Sequence, residues 1–342
     1  MASPSTRRFP ARRTAVWLLI LLIPASVLAG VVFGSVRIPI ADALGALFGS
    51  EADGSSAPFR AIVTAIRLPR ILLGLLVGTA LAVSGAAMQG VFRNPLASPY
   101  ILGIAGGASA GAALVIHLAP KVPYLLPLGA FVGGAVAVAI VYGLSRGRDR
   151  RTSIFTLILS GVAVGALFSA VTSLLIFLAS TGERLSDILF WIMGGLGRGD
   201  WLSVVVLAPI VAIGTGAVFF FARDLNAMAT GEEGAFHLGV DPDIVSRWLL
   251  AITTVLTSAA VAMAGTIGFV GLVIPHVMRL IVGPDHRVLI PASALAGASF
   301  LVWSDLAARM IAAPAELPVG VITAFLGAPF FLFLLKTRGR DL

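Results

Sequence analysis

The chain has 342 residues, 58% of them hydrophobic and 12% charged, with a formal net charge of +8 and a mean hydropathy of +1.01. That balance excludes a soluble globular domain, which carries about 25% charged residues, and the lack of cysteine excludes disulfides and thiolate metal sites. The basic residues form short clusters between apolar blocks rather than a stripe interleaved with aromatics, so the expected environment is membrane lipid and no nucleic-acid partner is expected.

The apolar blocks run to about 20 residues, the length an α-helix needs to cross hydrocarbon. The first, 15–36, follows a basic stretch and ends among small residues, as a signal peptide does. It outruns a signal core of roughly 7 to 15 residues and is expected to be an uncleaved first span. Further spans are expected at 71–92, 101–118, 124–144, 154–179, 202–221, 248–268, 269–282, 288–308 and 317–335. The eighth is short and carries Pro275, His276 and Arg279, so it should lie against protein or a wet cavity. With the N-terminus inside, sixteen of the 24 Lys and Arg residues fall in inner segments, which predicts both termini on the cytoplasmic side. Arg37, Arg60, Arg67 and Arg70 break that bias, and charges placed there suit an outside partner.

The fold expected is therefore all-α: one polytopic membrane domain over 1–342 with about ten transmembrane helices. Two segments echo each other, ALAVSGAAMQGVFRNPL in the first part and AAVAMAGTIGFVGLVIP in the second, each a small-residue helix before a proline. If 15–179 and 202–335 are each five-span halves, the odd number inserts them with opposite orientation, giving inverted repeats. Glycines four apart at 74 and 78, 103 and 107, 107 and 111, 129 and 133, and 161 and 165 let backbones pack closely.

Chemistry is sparse. In FRNPLASPY, Pro95 removes a donor and ends the preceding helix near Asn94, whose amide can cap the freed groups. The break is either a structural turn or part of a pathway lining. The four histidines are scattered, with no ligand spacing, so neither a metal nor another cofactor is expected. His276 and Arg279 are read as packing near an inner gate formed with Asn94, Pro95 and Pro275. Only two lysines are present, neither in a phosphate-binding G-x-x-x-x-G-K-[ST] loop, so ATP chemistry is not expected in this chain.

Three stretches together carry a resemblance: RLPRILLGLLVGTALAVSGAAMQGVFRNPLASPYILG, GTIGFVGLVIPHVMRLIVGPDHRVLIP and AELPVGVITAFLGAPFFLFLL. From about 67 to 335 the chain resembles the permeases of ABC importers for ferric siderophores, heme and cobalamin. The resemblance implies a transport subunit rather than an enzyme. It further implies a second permease copy or close paralogue, a separate pair of ABC ATPase subunits and an extracytoplasmic substrate-binding protein. It also implies that 223–247 is the coupling segment, two short helices joined near a glycine, with Ala229, Gly231, Glu232, Glu233, Leu238 and Gly239 at the ATPase; an ordinary solvated loop is the plainer alternative. Arg67, Arg70 and Arg309 match positions facing the binding protein, where an arginine fork suits a carboxylate; snorkelling at span ends is the alternative. Glu316 is placed to pair with Arg309. An ion-coupled secondary transporter with inverted repeats is the competing function, but its mid-membrane carboxylates are missing from the span centres.

Overall fold

The computed structural model describes residues 8–34, 36–48, 57–122, 124–145, 154–179 and 181–338; the expected basic clusters at Arg7, at 146–151 and at Arg340 lie outside the described residues. In chain order the helices are α1 (Arg8–Val32), α2 (Ile40–Phe48), α3 (Ala57–Ala61), α4 (Leu68–Val91), α5 (Ile104–Leu118), α6 (Leu125–Ser145), α7 (Ile154–Phe177) and α8 (Gly182–Met193). They continue as α9 (Trp201–Phe220), α10 (Ala222–Met228), α11 (Glu232–His237), α12 (Pro242–Ala264), α13 (Val270–Val282), α14 (His286–Ile311) and α15 (Val319–Arg338). No strand occurs among the described residues.

Seven helices are long and apolar enough to cross a membrane, and three shorter apolar ones, Ile104–Leu118, Val270–Val282 and Val319–Phe333, complete the set, so every expected span falls on a helix. Two bounds differ for identifiable reasons. The seventh span starts at Pro242 instead of 248, because Asp241 Oδ1 accepts from the N–H groups of Asp243 (2.9 Å) and Ile244 (3.3 Å) while Pro242 needs no donor at the first helical position. The second span extends back to Pro58, through α3 and a π-helical stretch (Ile62–Arg67), to form one helix of 34 residues, with Arg67 and Arg70 turned inward rather than ending it. At 1.5 Å per residue that helix is about 50 Å long, well beyond a hydrocarbon core of roughly 30 Å.

That long helix is the axis of the bundle. Nearly every side chain of α4 from Leu73 to Val91 is buried, against α9, α12, α13 and α14. Small residues make this possible. A Cβ on Gly78 would stand 2.2 Å from the Gly297 carbonyl oxygen of α14, and one on Gly85 only 1.8 Å from that of Gly271 in α13. The four-residue glycine spacings serve the same end within the chain: Gly107 and Gly111 of α5 lie on Gly133 and Gly129 of α6, and Gly161 of α7 lies on the Ile101 carbonyl. Cohesion in lipid comes from such close packing, since apolar side chains gain little by leaving hydrocarbon.

The architecture repeats with its neighbours exchanged. The second helix of the first half, α4, crosses the fourth of the other half, α14; the second helix of that half, α12, crosses the fourth of the first half, α6. Residue numbers rising along α4 meet falling numbers along α14, Gly74 at Val302 and Gly78 at Gly297, so that pair is antiparallel. Both third helices follow a residue in the left-handed region, Gly103 before α5 and Phe269 before α13. The proline expected to break the second copy does not do so. Pro275 lies inside α13, and the interruption is the extended stretch from Gly265 to Phe269, where Gly265, at φ 68°, ends α12.

Candidate functional site

Polar chemistry gathers at the two ends of α4, which at 1.5 Å per residue stand about 35 Å apart. At the first end the π-helical turn leaves Val63, Arg67 and Arg70 all facing inward. Arg70 holds Asp305 of α14 through one edge of its fork, Nε to Oδ1 at 2.9 Å and Nη2 to Oδ1 at 2.8 Å, and gives Nη1 to Glu316 Oε2 at 2.8 Å. Arg309 Nε stands 3.0 Å from Asp305 Oδ2, an ionic contact without hydrogen-bond alignment, and its Nη2 has no partner among the described residues. Arg67 donates to the carbonyls of Val31, Val32 and Val36, closing the open end of α1 and the turn after it.

The three expected docking arginines thus stand together, but beneath the surface, each less than 10% exposed. The expected Glu316 to Arg309 pair is not formed; Glu316 takes Arg70, because Asp305, one turn before Arg309 on α14, already occupies the space beside it. One opening reaches this group. Arg70 and Glu316 line a cavity of about 270 Å³ with residues 194–198, whereas Gly34 packs against the guanidinium groups so closely that a Cβ there would be 2.9 Å from Arg67 Nη2 and 3.3 Å from Arg309 Nη1.

At the other end α4 stops at Val91, and Asn94 Oδ1 accepts from the Leu96 N–H at 2.8 Å, closing the turn that follows rather than capping the end of α4 as expected. Arg93 turns into the left-handed region and reaches Glu232 Oε1 at 3.0 Å. The polar segment is two short helices, α10 and α11, joined at Gly231, whose φ of 103° suits glycine. Glu232 and Glu233 occupy the first turn of α11, where carboxylates are favoured. Ala229, Glu233, Phe236, Leu238 and Gly239 are exposed, and Phe236 and Leu238 form an apolar pair at the tip.

Next to it two of the expected gate residues, Pro95 and His276, share a cleft, whereas Asn94, Pro275 and Arg279 do not line it. Pro95, Leu96, His276 and Phe330 line one small cleft, so the break after α4 faces the first turns of α13 and the body of α15. Gln89 Nε2 donates to the Leu272 carbonyl at 3.0 Å, and Arg279 Nη2 donates to Gln89 Oε1 at 3.1 Å. Sequence reasoning missed Gln89 and also Asn226, which hydrogen-bonds Asp285 and His286 across the base of the bundle. The available signal was a lone amide inside an apolar helix in the first case. In the second nothing in the local sequence marks the residue.

A family model described as the FecCD transport family matches residues 18–337. The chain belongs to the FecCD transport family. It is 48% identical over 277 residues to the cobalamin import system permease of Halobacterium salinarum, covering 81% of this chain and 74% of that one. It is 40% identical over 309 residues to the Fe(3+)-citrate import system permease of Bacillus subtilis, covering 90% of each. The inward-facing structure of a protein described as a metal-chelate type ABC transporter superposes with a TM-score of 0.84 at 30% identity, over 95% of this chain and 99% of that one. As a FecCD member the chain is a multi-pass transport permease of the ABC importers and not an enzyme.

Proposed function

We propose that this FecCD permease moves a bulky metal chelate, with cobalamin as the first cargo to test, across the cytoplasmic membrane as one of two permease copies, both termini inside. A binding protein delivers cargo at the Arg70 end, and a pair of ATPase subunits acts at the Glu232 end. The cargo reading rests on the 48% identity to a cobalamin permease. The observation that carries the mechanism is the exposed helix pair α10 and α11. Solvent-facing Phe236 and Leu238 on an element anchored by the buried Leu225, Met228 and Ala235 are costly to leave uncovered and fit a groove on a partner.

At the opposite end, Arg67, Arg70 and Arg309 supply more donors than Asp305 and Glu316 accept, and Glu316 is the exposed member, its side chain 46% accessible. A partner's carboxylate can displace Glu316 from Arg70 at the mouth of that cavity, gaining a charge-assisted contact. Between the ends, α5, α7, α13 and α15 supply small and apolar walls suited to an amphipathic cargo, and Asn94, Pro95, Pro275, His276 and Arg279 form the inner gate.

The test is reconstitution in proteoliposomes with the partner ATPase and binding protein, following uptake of labelled cobalamin and, separately, of ferric citrate. Uptake that requires both partners and ATP is expected. Gly231→Val, which forces a β-branched side chain into φ 103° at the α10 to α11 turn, should leave folded permease while abolishing stimulated hydrolysis. Uptake driven by a proton or sodium gradient without the ATPase would refute the assignment.

A further inference from the structure

Besides the exposed Arg93 to Glu232 pair, which holds α11 to the end of α4, the polar segment is joined to the bundle by a compact set of side-chain hydrogen bonds on α10. Asn226, in the second turn of α10, is half-buried and donates Nδ2 to Asp285 Oδ1 at 2.7 Å. Its Oδ1 accepts from the His286 backbone N–H at 2.9 Å and lies 2.8 Å from His286 Nδ1. Because Oδ1 is an acceptor, His286 carries its proton on Nδ1, and Nε2 is left facing α4. One amide therefore satisfies three groups of the turn between α13 and α14.

The same contact continues to the gate. A Cβ on Gly90 would stand 2.7 Å from Leu225 of α10 and 2.9 Å from His286 Nε2, so α10, α14 and the last turn of α4 meet there without clearance. One residue earlier on α4, Gln89 holds the Leu272 carbonyl and Arg279 of α13. Asp285 also caps α14 by accepting from the Arg287 N–H at 3.0 Å, so pulling on it displaces both helices that leave the turn.

We propose that Asn226 is the positioning residue that ties α10 to the α13–α14 turn, so that a displacement of the α10–α11 pair reaches the inner gate at Gln89, Leu272 and Arg279. This rests on the reading that an ATPase moves that pair. Apolar packing of Leu225 alone allows α10 to slide over α4; the directional bonds of Asn226 fix it to the turn. A double exchange tests the tie itself. Asn226→Asp sets a second carboxylate against Asp285, whereas Asn226→Asp with Asp285→Asn restores one donor between the two while both oxygens still serve the His286 and Arg287 N–H groups.

The chain lacks cysteine, so a single Leu96→Cys reports on the gate cleft through its rate of modification by a membrane-impermeant maleimide. The measurement is made on the complete complex in lipid nanodiscs, with and without ATP and vanadate. With Asn226 intact, nucleotide should change the modification rate. In Asn226→Ala and in Asn226→Asp that change, normalised to ATP hydrolysed, should fall at least fivefold, and the double exchange should recover most of it. An Asn226→Ala complex that keeps the full nucleotide response, fails to assemble, or is not matched by rescue in the double exchange overturns the proposal. No nucleotide response in the parent Leu96→Cys complex would instead remove the ATPase reading on which it stands.

Discussion

Replacing Gly85 by alanine is the smallest change that should part α4 from α13. The added methyl would lie 1.8 Å from the Gly271 carbonyl oxygen, so even to reach 3.0 Å the two backbones must separate by more than 1 Å. Pro275 is part of the reason for the closeness: it has no N–H to offer the Gly271 carbonyl four residues earlier, and the Gly85 Cα packs against that oxygen instead. Separation of that size stretches the 3.0 Å bond from Gln89 to the Leu272 carbonyl out of hydrogen-bond range. Overpacking costs about 1–3 kcal/mol, and the lost bond about 0.5–1.5 kcal/mol. Alanine also raises helix propensity, so the comparison needs Gly216→Ala, where nothing lies within 4 Å and only the propensity changes. The gap between the two variants is expected to be about 2–4 kcal/mol, read from reversible unfolding in mixed micelles titrated with sodium dodecyl sulfate. Midpoints and slopes that place the two within about 0.5 kcal/mol of each other would refute the close-packing account.

Asp305 is 2% exposed between two guanidinium groups, so Asp305→Asn should cost about 3–5 kcal/mol in the same assay. Glu316→Gln, at a half-exposed carboxylate, should cost under about 1 kcal/mol; equal losses would show that burial does not govern the pair. Asp200 caps α9, and hydrogen bonds from the Ser203 hydroxyl and N–H hold its carboxyl below the ordinary range. Its folded pKa being depressed, the cap's contribution, about 1 kcal/mol, is present above the unfolded value near 3.9 and fades as pH falls through the folded one. Thermal stability between pH 3 and 6 should therefore fall less in Asp200→Asn, which caps without titrating; identical pH profiles would count against it.

The seven long spans and the three shorter apolar helices were legible because hydrocarbon imposes a length and a composition that short windows of sequence carry. What was not legible were effects settled by distant partners. Arg67 and Arg70 looked like the end of a span, yet Asp305 and Glu316, more than 230 positions away, draw Arg70 inward and let the helix run on through it. Pro275 looked like a breaker because local rules treat proline so, whereas the interruption fell at Gly265, where α12 meets the carbonyl of Trp191. The α10–α11 pair was foreseen from the family resemblance, with Gly231 and the acids at a helix start in keeping with it. Asn226 was not, because an asparagine beside Leu225 is unremarkable until Asp285 and His286 are brought to it.

The backbone-to-backbone seam between α5 and α6 has a mechanical corollary. With Gly107 on Gly133 and Gly111 on Gly129, no side chains separate the two cylinders, and sliding either along the other would drive Cα atoms into carbonyl oxygens. They form a stiff two-ply board. Flexing between two conformations must then concentrate at the board's ends, where Gly103 before α5 and Tyr124 before α6 already hold left-handed torsions. A transporter built this way swings panels about short creases and does not bend them.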